Sequence, residues 1–157
     1  MERMTHKDYF LRPKIALYEP DIPQNTASII RTCSCLGAYL EIIEPCGFLI
    51  SDKRFKRIVM DYMDLSKIKF YSSAKEFFDK KKGNRIILMT TKAKKKYYDF
   101  EFEKDDTILF GRESSGVPNE VHKRIKNKLK VPMEGKNRSL NLSTTVSVVL
   151  AESLRQT

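Results

Sequence analysis

The sequence predicts an α/β domain: an open, mainly parallel sheet with helices on both faces. Short, branched, near-continuous apolar runs such as "RIILMTT" (85–91) and "DTILF" (106–110) recur along the chain, as expected of parallel strands covered on both sides. Helical stretches alternate with those runs, which is the rhythm of βα units and not of hairpins. The 157 residues, 41% of them hydrophobic, amount to about one domain's worth of core. We read a tail over residues 1–13 and a single domain over residues 14–157.

"KIALY" (14–18) reads as the first strand. "QNTASIIRTCSCLG" (24–37) follows as a helix with Ile29, Ile30, Cys33 and Leu36 inward and Gly37 ending it. "YLEII" (39–43) is a strand, a short helix lies around 52–60, and "KIKFY" (67–71) is the next strand. "SAKEFFDKKKG" carries a capping box from Ser73 to Glu76 and a stop at Gly83. After the strands at 85–91 and 106–110, "KLKVPM" (128–133) is the last strand. A final helix buries Val146, Val149, Leu150 and Leu154, with Ser143 or Thr144 as its cap.

Thirty Lys and Arg against 20 Asp and Glu give a net charge of +10, which favours polyanionic partners. Runs such as "KKKGNR" (80–85) and "KAKKK" (92–96) are equally readable as solvated faces. The N-terminus has no apolar signal core, and no stretch approaches the about 18 apolar residues of a membrane span. A soluble, cytoplasmic protein without membrane contact is expected. Cys33, Cys35 and Cys46 lack paired spacing and are read as reduced packing residues, neither disulfide framework nor metal cage.

In such sheets ligands bind beyond the carboxyl ends of the strands. That directs attention to "EPDIPQN" (19–25), "GRESSGVP" (111–118) and "EGKNRSLNLS" (134–143). The second has glycines at 111 and 116, but Val117 and Pro118 stand where a phosphate-binding loop needs Lys and Ser or Thr, so nucleotide triphosphatase chemistry is rejected. His6 and His122 are the two histidines, neither with an evident nucleophile, which argues against a hydrolase triad. His122 is read as a surface residue.

Taken in order, "YEPDIPQNTASIIRTC", "IEPCGF", "DKRFKRI", "FGRESSGVP" and "VPMEGKNRSLNLSTTVSVVLAESLRQ" resemble the SPOUT superfamily of RNA methyltransferases. Within it they are most similar to the TrmL (YibK-type) tRNA ribose 2'-O-methyltransferases. The resemblance implies a Rossmann-like sheet with a C-terminal deep trefoil knot, S-adenosyl-L-methionine as cofactor, a homodimer, no metal, and tRNA as partner. It implies transfer of a methyl group to the ribose 2'-hydroxyl of the wobble nucleotide, cytidine or uridine 34. Ribosomal RNA as substrate, or a non-catalytic RNA-binding protein of the same fold, are the alternatives.

Position by position, Asn25 and Arg31 fall on the first motif, Gly111 and Glu113 on the second, and Arg138, Ser139 and Asn141 on the third. The resemblance thereby implies catalytic roles for Arg31, Glu113, Asn25, Ser139 and Asn141. It implies cofactor contacts at Met89, Gly111, Val131 and Ser139, and RNA contacts at Arg31, Arg112 and Arg138. Arg31 is the family's proposed base, though a guanidinium is more readily a phosphate anchor; Glu113 would orient it or take the proton itself. Ala27, Arg112, Thr144 and Ala151 depart from the family's Gly, Pro, Asn and Tyr. The implied dimer packs through the first and last helices, with Ile29, Ile30, Val148 and Leu150 as contacts.

Overall fold

A computed structural model describes residues 11–49, 51–62, 67–136 and 140–157. Most of the expected tail, and Arg138 and Ser139 of the third loop, therefore lie outside the described residues. In chain order the elements are β1 (Lys14–Tyr18), α1 (Pro23–Leu36), β2 (Tyr39–Ile43), α2 (Lys53–Tyr62), β3 (Ile68–Tyr71), α3 (Ala74–Lys80) and β4 (Ile86–Met89). They continue with β5 (Lys95–Lys96), a 3-10 turn (Tyr97–Asp99), β6 (Thr107–Phe110), α4 (Asn119–Arg124), β7 (Asn127–Lys130) and α5 (Leu142–Gln156).

The strands form one seven-stranded sheet in the order β3-β2-β1-β6-β4-β7-β5, and every ladder is parallel. Successive strand residues point to opposite faces, so β1 feeds two cores. Ile15 and Leu17 pack with Ile29, Ile30, Val146 and Val149 on the α1–α5 side. Ala16 and Tyr18 pack with Phe77, Phe78 and Val121 on the α3–α4 side. Burial on both faces explains why the strands read as apolar runs without alternation. No helix among the described residues is long and apolar enough to cross a membrane.

Helix boundaries follow local chemistry. Pro23 opens α1, where its missing N–H costs nothing, and Gly37 closes it at φ 75°. Leu36, expected inward, is 41% exposed; Thr26 shares the buried face with Ile29, Ile30 and Cys33. Ser73 caps α3 by accepting from Glu76 N–H at 3.1 Å, and Glu76 reaches back to Ser72 N–H at 2.6 Å. This is the expected box displaced by one residue on its return arm. The helix ends at Lys80, before Gly83, because the Lys81 side chain turns inward to Glu41 and Thr107. Burial, then repulsion from Lys81, pushes the nearby Lys14 ammonium down to about 8.

The strand expected over 128–133 leaves the sheet after Lys130, ahead of Pro132, which cannot donate to a ladder. β5 was not expected, since two residues carry no periodic signal. α5 is capped neither by Ser143 nor by Thr144: Asn141 Oδ1 accepts from Ser143 N–H at 2.9 Å. Ile29, Ile30 and Leu150, expected at a dimer interface, are fully buried in the core of the single chain and cannot touch a partner. Cys33 and Cys46 are free, their thiols pushed up to about 12 by burial.

Candidate active site

The carboxyl ends of β1, β6, β4 and β7 stand side by side in the sheet, and the loops leaving them meet around a cavity of about 520 Å³. Met89, Gly111, Arg112, Glu113, Val131, Asn25 and Asn141 all line it. Seven of the residues singled out in the sequence thus converge, from four separate segments. Arg31 does not join them: it is exposed on α1 and absent from the cavity wall.

A chain of hydrogen bonds ties the three loops together. Asn141 Nδ2 donates to Asn25 Oδ1 at 3.0 Å, and Asn25 Nδ2 donates to Glu113 Oε1 at 3.4 Å. The backbone N–H of Asp21 donates to Glu113 Oε2 at 3.2 Å. Asn141 also starts α5, so one amide both caps a helix and fixes the first loop. Ser143 Oγ adds a 2.6 Å bond to the same Oδ1.

The electrostatics single out Glu113. Burial, and then its hydrogen bond with the Asp21 carboxyl, raise Glu113 above the ordinary carboxylate range. Asp21 moves the opposite way, held down by that bond and by the hydroxyl of Ser114. Of the two carboxylates, the one that faces the cavity is therefore the more basic. A carboxylate made more basic in a cleft is suited to accept a proton from a bound substrate.

The glycine-bearing loop is shaped by its own backbone. Arg112 and Gly116 exchange hydrogen bonds of 3.2 and 2.9 Å, and Gly116 adopts φ +68°. A Cβ at Gly111 would stand 2.6 Å from the Gly116 carbonyl carbon; only glycine permits that approach. The Arg112 guanidinium pairs with Glu19 and lies 5.7 Å from the centre of the Tyr18 ring. It braces the second loop against the end of β1.

Sequence reasoning missed several wall residues. His122 lines the cavity, and its Nε2 is buried with no hydrogen-bond partner among the described residues. Burial, then Lys128 and Lys92, push its pKa down, so the ring is neutral near pH 7. Thr90, Lys92 and Thr145 also line the cavity. Asp21 had a signal, a carboxylate in the first loop, that passed unused.

Residues 12–151 match the model of the SpoU rRNA Methylase family. A tRNA (cytidine(34)-2'-O)-methyltransferase from Beijerinckia indica is 44% identical over 144 residues, which cover 90% of each chain. A solved structure of a candidate RNA methyltransferase from Bacillus anthracis superposes with a TM-score of 0.83 at 39% identity, covering 92% of this chain and 93% of that one. Another, described as giving insights into the 2-OH methylation of C/U34 on tRNA, has a TM-score of 0.86 at 37% identity, covering 92% and 95%.

Proposed function

Because the chain belongs to the SpoU rRNA methylase family, we propose that it is an S-adenosylmethionine-dependent methyltransferase of the ribose 2'-hydroxyl of cytidine or uridine 34 in tRNA. The observation that carries this reading is the Asn141–Asn25–Glu113 chain, which joins all three loops at one cavity and presents a proton acceptor there. Near-full-length similarity to a tRNA-modifying relative favours tRNA over ribosomal RNA.

The cavity suits a nucleoside-sized ligand in volume. Its wall combines apolar Met89 and Val131 with the close backbone of Gly111, and His122 Nε2 offers an unused polar atom. Met89, Gly111 and Val131 would hold the cofactor, joined by Ser139 from the third motif. When bound, S-adenosylmethionine supplies an electrophilic methyl group on a sulfonium centre.

This chain's residues do the rest. Glu113 accepts the 2'-hydroxyl proton as the oxygen becomes a nucleophile, and Asn25 and the Asp21 N–H fix the carboxylate for that step. Alignment of the two substrates supplies much of the acceleration. Arg31, outside the cavity wall, anchors an RNA phosphate, and Arg138 serves the same substrate. Arg112 contributes through the loop it braces. The transfer requires no metal. The same reading includes a cytoplasmic homodimer whose C-terminal segment is threaded as a trefoil knot.

Labelled methyl transfer from S-adenosylmethionine onto total small RNA, followed by mapping of the modified nucleotide, tests the proposal. Label on the 2'-oxygen of nucleotide 34 is expected. Label confined to ribosomal RNA, or on a base, would overturn it.

A further inference from the structure

The lysine runs divide into two fates. Lys81 is buried against Glu41, and Lys80 pairs with Glu76 at 2.9 Å, so the run at 80–82 is largely occupied within the fold. The runs at 92–96 and 123–130 are brought together, because β5 lies beside β7 at the outer edge of the sheet. Residues 89–98 and 121–133 contain nine Lys or Arg and no Asp or Glu. None of the nine is in a salt bridge among the described residues.

Register sorts these cations by face. Lys96 pairs with Lys130, and Lys95 with Leu129, so Lys96, Lys128 and Lys130 share one face of the sheet. Lys95 turns to the other, 5.7 Å from the Phe100 ring centre. Lys128 and Lys92 both act on His122 in the cavity wall, and Lys92 lines the cavity itself. The strip therefore reaches the mouth of the site at Lys92. At its outer end Tyr98 is 47% exposed, with Lys96 Nζ 5.8 Å from its ring centre.

We infer that the β5–β7 edge, with Lys94, Lys96 and Lys130 as phosphate contacts and Tyr98 as a stacking platform, binds the RNA strand flanking the nucleotide held in the cavity. The inference rests on the methyltransferase reading above. A row of cations outside any salt bridge and leading to a cavity suits a sugar-phosphate backbone, and an exposed ring beside them offers a base a face on which to stack. Lysines on an edge strand also deter aggregation, a role that requires neither continuity with the cavity nor the tyrosine.

The test compares two triple variants of equal charge change. One carries Lys94→Gln, Lys96→Gln and Lys130→Gln. The control carries Lys69→Gln, Lys75→Gln and Lys82→Gln, on and beside β3 at the opposite edge. Binding of unmodified tRNA is measured across a salt series, with methylation kinetics alongside. For the strip variant we expect affinity at about 0.15 M salt to fall at least about tenfold and the log–log salt slope to become shallower by about two, with KM rising more than kcat falls. Tyr98→Ala should weaken binding about tenfold and Tyr98→Phe should restore it. Equal losses in the two triples, or a tyrosine whose removal changes nothing, would overturn the inference. A wild-type protein that fails to methylate tRNA would refute the methyltransferase reading, while the binding comparison still decides the strip.

Discussion

Glu113 and Arg31 compete for the role of proton acceptor, and their placement separates them. Glu113 lines the cavity with its carboxyl raised by burial and by Asp21; Arg31 is exposed outside it. Glu113→Gln should lower kcat by about 10²- to 10⁴-fold and leave S-adenosylmethionine affinity, read by calorimetry, within about threefold. The pH profile is a finer probe. Because Asp21 holds the Glu113 pKa up, the base ionises late, and kcat falls as pH drops through that raised value. Asp21→Asn removes this contribution, so the acid limb should move to lower pH; an unmoved limb, or one moved upward, contradicts the assignment. Glu113 was legible in the sequence as a carboxylate in a loop that follows a strand, whereas Asn25 and Asn141 were singled out by the family resemblance. The position of Arg31 depends on helical phase: six residues beyond Asn25 is about 600° of rotation, leaving it about 120° off that face. His122 was misread for the same reason, since the phase of a six-residue helix is not fixed by sequence pattern.

At the scale of elements, the site depends on how closely β6 and its loop fold back on themselves. The Gly111 contact with Gly116 is backbone against backbone, so no side chain can rotate away to relieve an added methyl group. Gly111→Ala should therefore cost about 1–3 kcal/mol of stability, and cofactor binding should weaken with it, measured by thermal unfolding and calorimetry. Gly83 is the control: it also has positive φ, but nothing lies within 4 Å of its Cβ position. Gly83→Ala should cost about 1 kcal/mol through backbone strain alone and leave cofactor binding unchanged. Elements with a repeated signal were readable in advance. β1, β2 and β6 are buried on both faces and announced themselves as apolar runs. β5 joins the sheet through its pairing with β7, a tertiary fact that two lysines cannot encode locally. The cap of α5 went to Asn141 because its amide also reaches Asn25, a contact across 116 residues of chain.

At the scale of the molecule, one small domain with net charge +10 must hold a folded RNA, and a twofold dimer would double its basic surface. α1 and α5 lie together, with Thr32 Oγ 3.3 Å from Ser147 Oγ, and they leave Arg31, Cys35 and Ala151 exposed. A twofold axis beside this pair would cover that surface. The buried Ile29, Ile30 and Leu150 cannot test this arrangement, because changing them damages the fold before it reaches any interface. Ala151 can. It is exposed in the single chain, so a substitution there should cost no more than about 0.5 kcal/mol of intrinsic stability. Ala151→Arg should give a protein with unchanged circular dichroism that sediments as a monomer and methylates tRNA at least about tenfold more slowly. A variant that remains dimeric would place the interface elsewhere. A folded monomer that methylates tRNA at the wild-type rate would show that each protomer carries a complete site.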